Sequence, residues 1–290
     1  MLPEVVARLD PRPGQWMLDA TVGLGGHSAA ILEKIQPRGM LVGIDRDRKA
    51  LDLAKVRLQA MGGDYFLHHG KFSGMREALR ESGAPIERGF HGVLFDLGVS
   101  SFQLDEGVRG FSFMRDGPLD MRMDSEAGER ALDLLGRWDV EEIERILRQY
   151  GEEPAAGRIA RAIDRRRRQG RLQTTGDLAG AVKEVVPRHG RKTHPATRTF
   201  QAVRIAVNDE INQLRLVLQE VDRFLAPGGR VVVLSYHSLE DRLVKEVLRE
   251  RAKEGILEIE KPDPQTPSEE EIERNPRSRS ARLRSARRRG

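Results

Sequence analysis

A chain of 290 residues, 38% hydrophobic and 33% charged, is long enough for a complete α/β core and an additional lobe. It contains no cysteine, which removes disulfides, thiolate zinc sites, iron–sulfur clusters and cysteine nucleophiles. The net charge of +5 is segregated, with +9 on residues 158–198, +8 on residues 274–290 and −12 on the rest, a pattern that suits a polyanionic partner met at defined places.

Met1 to Gly14 mixes charges with prolines and does not read as a secretory signal. The longest apolar run, Val231-Val232-Val233-Leu234, is far too short to span a bilayer, so a cytoplasmic protein without membrane contact is expected. The seven histidines show no ligand spacing, so no metal is expected either.

Residues 16–97 alternate short apolar runs with helical periodicity. Strands are predicted at Trp16–Thr21, Met40–Asp45, Tyr65–His68 and Gly92–Asp96. Helices are predicted at Gly26–Gln36, through Lys49 and Ala60, and around Met75–Arg80. Such alternation predicts a parallel sheet covered on both faces. The rhythm breaks at residues 105–124, which read as loop, and helices alone follow. One is capped by Asp139 and ends at Gly151; one runs through Ile159 into Arg165–Arg168; one spans Thr175 to Pro187. The α/β pattern resumes with a long helix striped by Val207, Ile211, Leu214, Leu218, Val221 and Leu225, ended by Pro227-Gly228-Gly229. A buried strand at Arg230–Ser235, a helix through Leu239, Leu243 and Val247, and a strand at Ile256–Glu260 come next. Residues 280–287 read as an edge strand with solvent-facing arginines, followed by a disordered end. The predicted architecture is one Rossmann-like α/β domain, residues 1–104 and 199–290, with a mostly parallel sheet of about seven strands. An all-helical lobe, residues 105–198, is inserted in it.

The first strand leads into Asp19-Ala20-Thr21-Val22-Gly23-Leu24-Gly25-Gly26-His27-Ser28, a glycine turn that lets a ligand approach backbone. Asp45 ends the second strand twenty residues after Gly25, a spacing suited to a carboxylate that accepts from ribose hydroxyls. Nicotinamide and S-adenosylmethionine proteins share this geometry. The dinucleotide pattern wants glycine at 28, where this chain has serine, and Asp19 suits a cationic methionyl group better than a pyrophosphate. Asp96 ends the fourth strand, where it would overhang the same crevice. His27 either joins the ligand or caps the first helix.

With these residues in view, the chain resembles the RsmH (MraW) family, bacterial methyltransferases acting on small-subunit (16S) ribosomal RNA. The resemblance is carried by Asp19-Ala20-Thr21 through Ser28, by Asp96-Leu97-Gly98-Val99-Ser100-Ser101 and by Arg109-Gly110-Phe111-Ser112-Phe113. It extends through Gly117 to Asp124, His194 to Glu210, Ser235 to Arg242 and Asn275 to Ala281, nearly the whole chain. It implies a class I methyltransferase fold and methylation of N4 of a cytidine in the ribosomal decoding region. It also implies S-adenosylmethionine contacts at Gly25, Gly26, His27, Asp45, Phe72, Asp96 and Gln103, with 16S RNA or the small subunit as partner. A homodimer is compatible with this reading. Tyr236 stands where the family often has phenylalanine.

Methylation of pyrimidine carbon 5 normally needs a thiolate adduct, which a cysteine-free chain lacks, so attack by a nitrogen agrees with the composition. Candidate substrate-pocket groups are the carbonyls and hydroxyls of Gly98 to Ser101, Ser100 among them, with Tyr236 and His237; Tyr236 is the first choice to stack on a splayed base. The Arg165–Arg168 run is expected to grip phosphates. The competing readings are an NAD-dependent oxidoreductase, another RNA or DNA amino-methyltransferase, and a non-catalytic RNA-binding assembly factor.

Overall fold

The computed structural model describes residues 1–84, 88–186 and 194–290. They form two compact units, residues 1–98 with 211–290, and residues 99–210. The first unit opens with α1 (Leu2–Leu9), β1 (Trp16–Asp19), α2 (Gly26–Ile35), β2 (Met40–Asp45), α3 (Arg48–Met61), β3 (Asp64–His69), α4 (Met75–Glu81) and β4 (Phe90–Asp96). The predicted elements are all present, and α1 is an addition that the short, proline-bearing N-terminal stretch did not suggest.

The 99–210 unit is helical. It contains α5 (Ser101–Asp105), α6 (Ala131–Arg137), α7 (Val140–Gly151), α8 (Ala156–Arg168), α9 (Thr175–Val185) and α10 (Thr197–Asn208). Asp139 caps α7 as expected, its carboxylate accepting from Glu142 N at 2.8 Å. Pro187, the expected stop of the third helix, lies outside the described residues. Helical spacing lays Ile143 and Leu147, Ile159 and Ile163, Leu178 and Val182, and Phe200 and Val203 into one core. The loop before α6 joins that core through Phe111, Leu119 and Met121. Asn208 ties it down, donating to Met121 O at 2.7 Å and accepting from Met123 N at 2.8 Å.

Each member of the arginine run of α8 has a protein partner. Arg165 and Arg166 both bind Glu184, at 2.5 and 2.7 Å. Arg167 donates to Asp164 and to the carbonyls of Leu135 (3.1 Å), Gly136 (3.2 Å) and Trp138. Arg168 reaches Asp164 at 2.9 Å. A consecutive run wraps all round a helix, so its members meet different neighbours, and here those neighbours are carboxylates and open helix-end carbonyls.

The chain then continues with α11 (Glu210–Gln219), α12 (Val221–Phe224), β5 (Leu225–Ser235), α13 (Ser238–Lys253), β6 (Leu257–Ile259), α14 (Glu269–Arg274) and β7 (Arg282–Arg288). The single long helix expected from Val207 to Leu225 is broken. Asp209, at φ +51°, ends α10, and Glu220 separates α11 from α12. Aspartate tolerates this left-handed conformation better than most residues. Leu214, Leu218 and Val221 nevertheless share one core, so the apolar stripe outlasts the helix that would carry it.

The sheet order is β3-β2-β1-β4-β5-β7-β6, parallel through β5, with β7 antiparallel to both neighbours. β7 is therefore interior, not the expected edge. Its Leu283 and Ala286 are fully buried, and Arg284 is buried with them. The Arg284 guanidinium is neutralised by Asp241 at 2.8 Å and Asp263 at 2.6 Å. Alternation sorts the strands' side chains to two faces. Met17, Leu41, Leu94, Val232 and Leu283 meet α1, α2 and Leu58 of α3; Leu18, Val42, Val93, Phe95 and Val231 meet α4, α11 and α13. Between β1 and β4 the strand order reverses, and a crevice opens at their carboxyl ends. No helix among the described residues is long and apolar enough to cross a membrane.

Candidate functional site

Three strand ends supply the crevice with acids: Asp19 from β1, Asp45 from β2 and Asp96 from β4. The chain leaves β1 in a tight turn whose glycines adopt φ values few side chains accept, +51° at Gly23 and +76° at Gly25. A Cβ at Gly25 would lie 3.1 Å from the Ala54 side chain of α3. Gly25→Val is thus expected to lower stability by about 1–3 kcal/mol through backbone strain and to abolish cofactor binding; thermal melts and calorimetric titration measure both.

Asp19 is fully buried. It accepts from Ser28 Oγ at 2.6 Å and Thr21 N at 3.1 Å. Thr21 Oγ1 in turn accepts from Asp96 N at 2.6 Å, locking β1 and β4 ends together. Burial raises the Asp19 carboxyl above the usual range, against the opposing pull of Ser28. Asp45 accepts one backbone N–H on each oxygen, Gly23 N at 2.7 Å and Asp47 N at 2.8 Å. Burial pushes it up to about 6 despite those donors.

His27 does not cap α2, whose N-cap is Gly25. Its Nδ1 instead lies 3.3 Å from Asp96 Oδ2. Burial pulls the imidazole pKa down, but the Asp96 carboxylate outweighs it and the net shift is upward. The other Asp96 oxygen accepts from Tyr236 OH at 2.8 Å. Burial, reinforced by Asp96, raises the phenol far above its ordinary value, so Tyr236 acts as a donor. Gly98, at φ +90°, faces the Tyr236 ring, where a Cβ would sit 3.6 Å from Cδ2. Phe72, just after β3, packs edge-on against Phe95 with centroids 5.5 Å apart.

This donor set fits an S-adenosylmethionine better than a dinucleotide. Each Asp45 oxygen keeps a lone pair after its backbone bond, enough for two vicinal ribose hydroxyls. No lysine or arginine pairs with Asp19, Asp45 or Asp96 among the described residues; with His27 their one basic neighbour, three acids in one crevice suit a cation better than a pyrophosphate.

The structure brings Gly25, Gly26, His27, Asp45, Phe72, Asp96 and Tyr236 together in the 1–98 and 211–290 unit. His237, next in line, is the N-cap of α13, its ring 3.1 Å from Glu240, a structural duty that stands beside any role toward substrate. Ser100 and Gln103 belong to the 99–210 unit, where they form the capping box of α5 through bonds of 3.2 and 3.0 Å. Thr21 and Ser28 are the supporting residues that sequence reasoning passed over. Their polar side chains within the glycine turn were the available signal, and Asp19, which both contact, lies in the same turn; the Thr21 contact with Asp96, 75 residues away, had no local signal.

Comparison with known proteins agrees along the full chain. The MraW methylase family matches residues 1–289. The ribosomal RNA small subunit methyltransferase H of Trichlorobacter lovleyi is 46% identical, over 98% of this chain and 95% of the relative. That of Sorangium cellulosum is 47% identical over 99% and 89%, and that of Brevibacillus brevis 43% identical over 99% and 96%. A match of this extent, over a crevice of this composition, means that the chain belongs to the MraW methylase family.

Proposed function

We propose that the protein transfers the methyl group of S-adenosylmethionine to N4 of a cytidine in the decoding region of small-subunit ribosomal RNA, acting in the cytoplasm. The observation that carries this reading is the end-to-end match to relatives named ribosomal RNA small subunit methyltransferase H. S-adenosylmethionine, when bound, supplies an electrophilic methyl on a sulfonium sulfur. Asp45 holds the ribose hydroxyls, and the glycine turn with Asp19 and Asp96 receives the cationic end. His27 and Tyr236 keep the Asp96 carboxylate oriented.

The cytosine amino group is a poor nucleophile because its lone pair is delocalised into the ring. The pocket would help in two ways, by orienting the amino group toward the methyl donor and by offering acceptors for the amino hydrogens as the nitrogen rehybridises. Gly98, whose backbone lies beside the Tyr236 ring, offers its carbonyl as a candidate acceptor. No strong base is required, since the methylated cation loses its proton readily.

Tyr236 stacks on the flipped base. Base–aromatic stacking contributes about 1–3 kcal/mol, so Tyr236→Ala is expected to lower kcat/KM for RNA roughly 10- to 100-fold, while Tyr236→Phe keeps most of it. Steady-state kinetics on both variants, with cofactor affinity measured alongside, check this; equal activity of the alanine variant removes the stacking role.

The reaction itself is tested by giving methyl-labelled S-adenosylmethionine to small ribosomal subunits from cells lacking this protein. The expected product of nuclease digestion is labelled N4-methylcytidine. Label on carbon 5 or on another nucleotide contradicts the N4 assignment. Retention of RNA with no label at all favours an assembly factor.

A further inference from the structure

The second basic segment of the sequence has a place of its own in the fold. Pro276–Ser280 forms a 3₁₀ turn in which Ser278 is buried and donates to Asn275 O at 2.8 Å. Turning Ser278 inward leaves Arg277 and Arg279 exposed on either side of it. The strand that follows starts with Arg282 exposed, before the buried run Leu283 to Ala286. This arginine-bearing segment, the start of α13 and the end of β5 enclose a cleft of about 480 Å³, lined by Tyr236, Arg242, Lys245, Thr266, Arg279 and Arg282 among others. One carboxylate, Asp241, also reaches it, and that group is bound by Arg282 at 2.9 Å and by the buried Arg284 at 2.8 Å. Four cations, Arg242, Lys245, Arg279 and Arg282, against the one acid, Asp241, leave the cleft lining net positive. Arg279 and Lys245 have no ion pair among the described residues, so their charge is available to a ligand.

The chemistry of the lining selects an anion, and the position selects which one. Tyr236 contributes to the cleft and also donates to Asp96 in the crevice, so whatever lies in the cleft is next to the acceptor base. The arginines of α8, by contrast, are held by carboxylates and carbonyls of their own unit. We propose that this cleft is the phosphate-binding track for the single-stranded RNA flanking the target nucleotide, with Arg279 and Lys245 as its principal phosphate contacts. A single strand is required because the amino group of a paired cytosine is engaged, and only a splayed nucleotide brings it to Tyr236. The inference rests on the RNA methyltransferase reading above.

The test is the salt dependence of binding of a short, unstructured, fluorescein-labelled RNA oligonucleotide to the full chain. Three proteins are compared: wild type, the double variant Arg279→Ala/Lys245→Ala, and a control, Lys34→Ala/Lys55→Ala, which removes the same charge from exposed positions on α2 and α3. Single-stranded binding loses about 0.7 of log–log salt slope per phosphate contact. The double variant is expected to bind about tenfold more weakly at moderate salt, with a slope shallower by about 1.4, and the control to match wild type. S-adenosylmethionine affinity, measured separately, stays at the wild-type value in all three. A double variant that matches wild type in affinity and slope overturns the cleft, as does a control that loses as much as the double variant. Wild-type protein that binds S-adenosylmethionine but no RNA overturns the RNA reading beneath it.

Discussion

Asp45→Asn is expected to weaken S-adenosylmethionine binding on the order of 100-fold at neutral pH. Hydrogen bonds to a charged acceptor contribute about 1.5–3 kcal/mol each, and the carboxylate has room for two from the ribose. The near-isosteric amide fails for a further reason. Both Asp45 oxygens already accept backbone N–H groups, from Gly23 and Asp47, so the amide nitrogen of asparagine must face one of those donors. The pH dependence is equally specific. Burial lifts Asp45 to about 6, and hydroxyl donors bind the ionised form better. Wild-type cofactor affinity is therefore expected to fall as pH drops through about 6, and that dependence should flatten in the asparagine variant. For folding the sign is opposite. An acid with a raised folded-state pKa contributes stability below its unfolded value, and the contribution is lost as pH rises through about 6. Isothermal titration with cofactor across this range, for both proteins, checks affinity and its slope.

Arg284→Ala is expected to be the most destabilising single change in the sheet. The guanidinium is 4% exposed, between Asp241 at 9% and Asp263 at 4%, and its removal strands the Asp263 carboxylate and leaves Asp241 with Arg282 alone. Breaking a buried pair from one side costs about 3–5 kcal/mol, which lowers the melting temperature by on the order of 10 °C in a chain of this size. Burial alone would raise the Asp241 carboxyl, but Arg284 and Arg282 together hold it below the usual carboxylate range. Its contribution to stability is therefore present above the ordinary aspartate pKa and lost as pH falls through the depressed value. The Arg284→Ala deficit should narrow in acid as a result. Thermal and urea melts at neutral and acidic pH measure it, and a loss below about 1 kcal/mol at neutral pH contradicts the role assigned to the pair.

What the residue pattern revealed, and what it hid, follows from the range of the forces involved. The strands β1, β2 and β4 were legible because both faces of each are buried, which writes near-continuous apolar runs such as Val93-Leu94-Phe95 into the chain. The cap at Asp139 was legible because its partner is three residues away. The break at Asp209 was not, since the apolar spacing of Val207, Ile211 and Leu214 runs through it in the sequence. Arg284 misled because arginine in a strand ordinarily faces water; only Asp241 and Asp263, 43 and 21 residues distant, make an interior position tolerable. The glycine turn and its three acids stood out by spacing. Their second layer, Thr21, Ser28 and Tyr236, depends on contacts such as Tyr236 to Asp96, 140 residues apart, which no local pattern encodes. The arginines of α8 and those after Asn275 look alike in composition. Folding sorts individual members: Glu184 and Asp164 pair with the α8 run, and Asp241, Asp263 and Glu258 pair with Arg282, Arg284 and Arg287, while Arg279 lines a cleft.

Every role assigned to these residues requires the acidic crevice at the ends of β1, β2 and β4 to hold the methyl donor. A crystal structure of the protein with S-adenosylmethionine bound tests this most directly. The expected result has the ribose hydroxyls on Asp45, the adenosyl moiety over the Gly23–Gly26 turn and the methionyl end near Asp19 and Asp96. A cofactor bound elsewhere, with Asp45 left facing water, contradicts it.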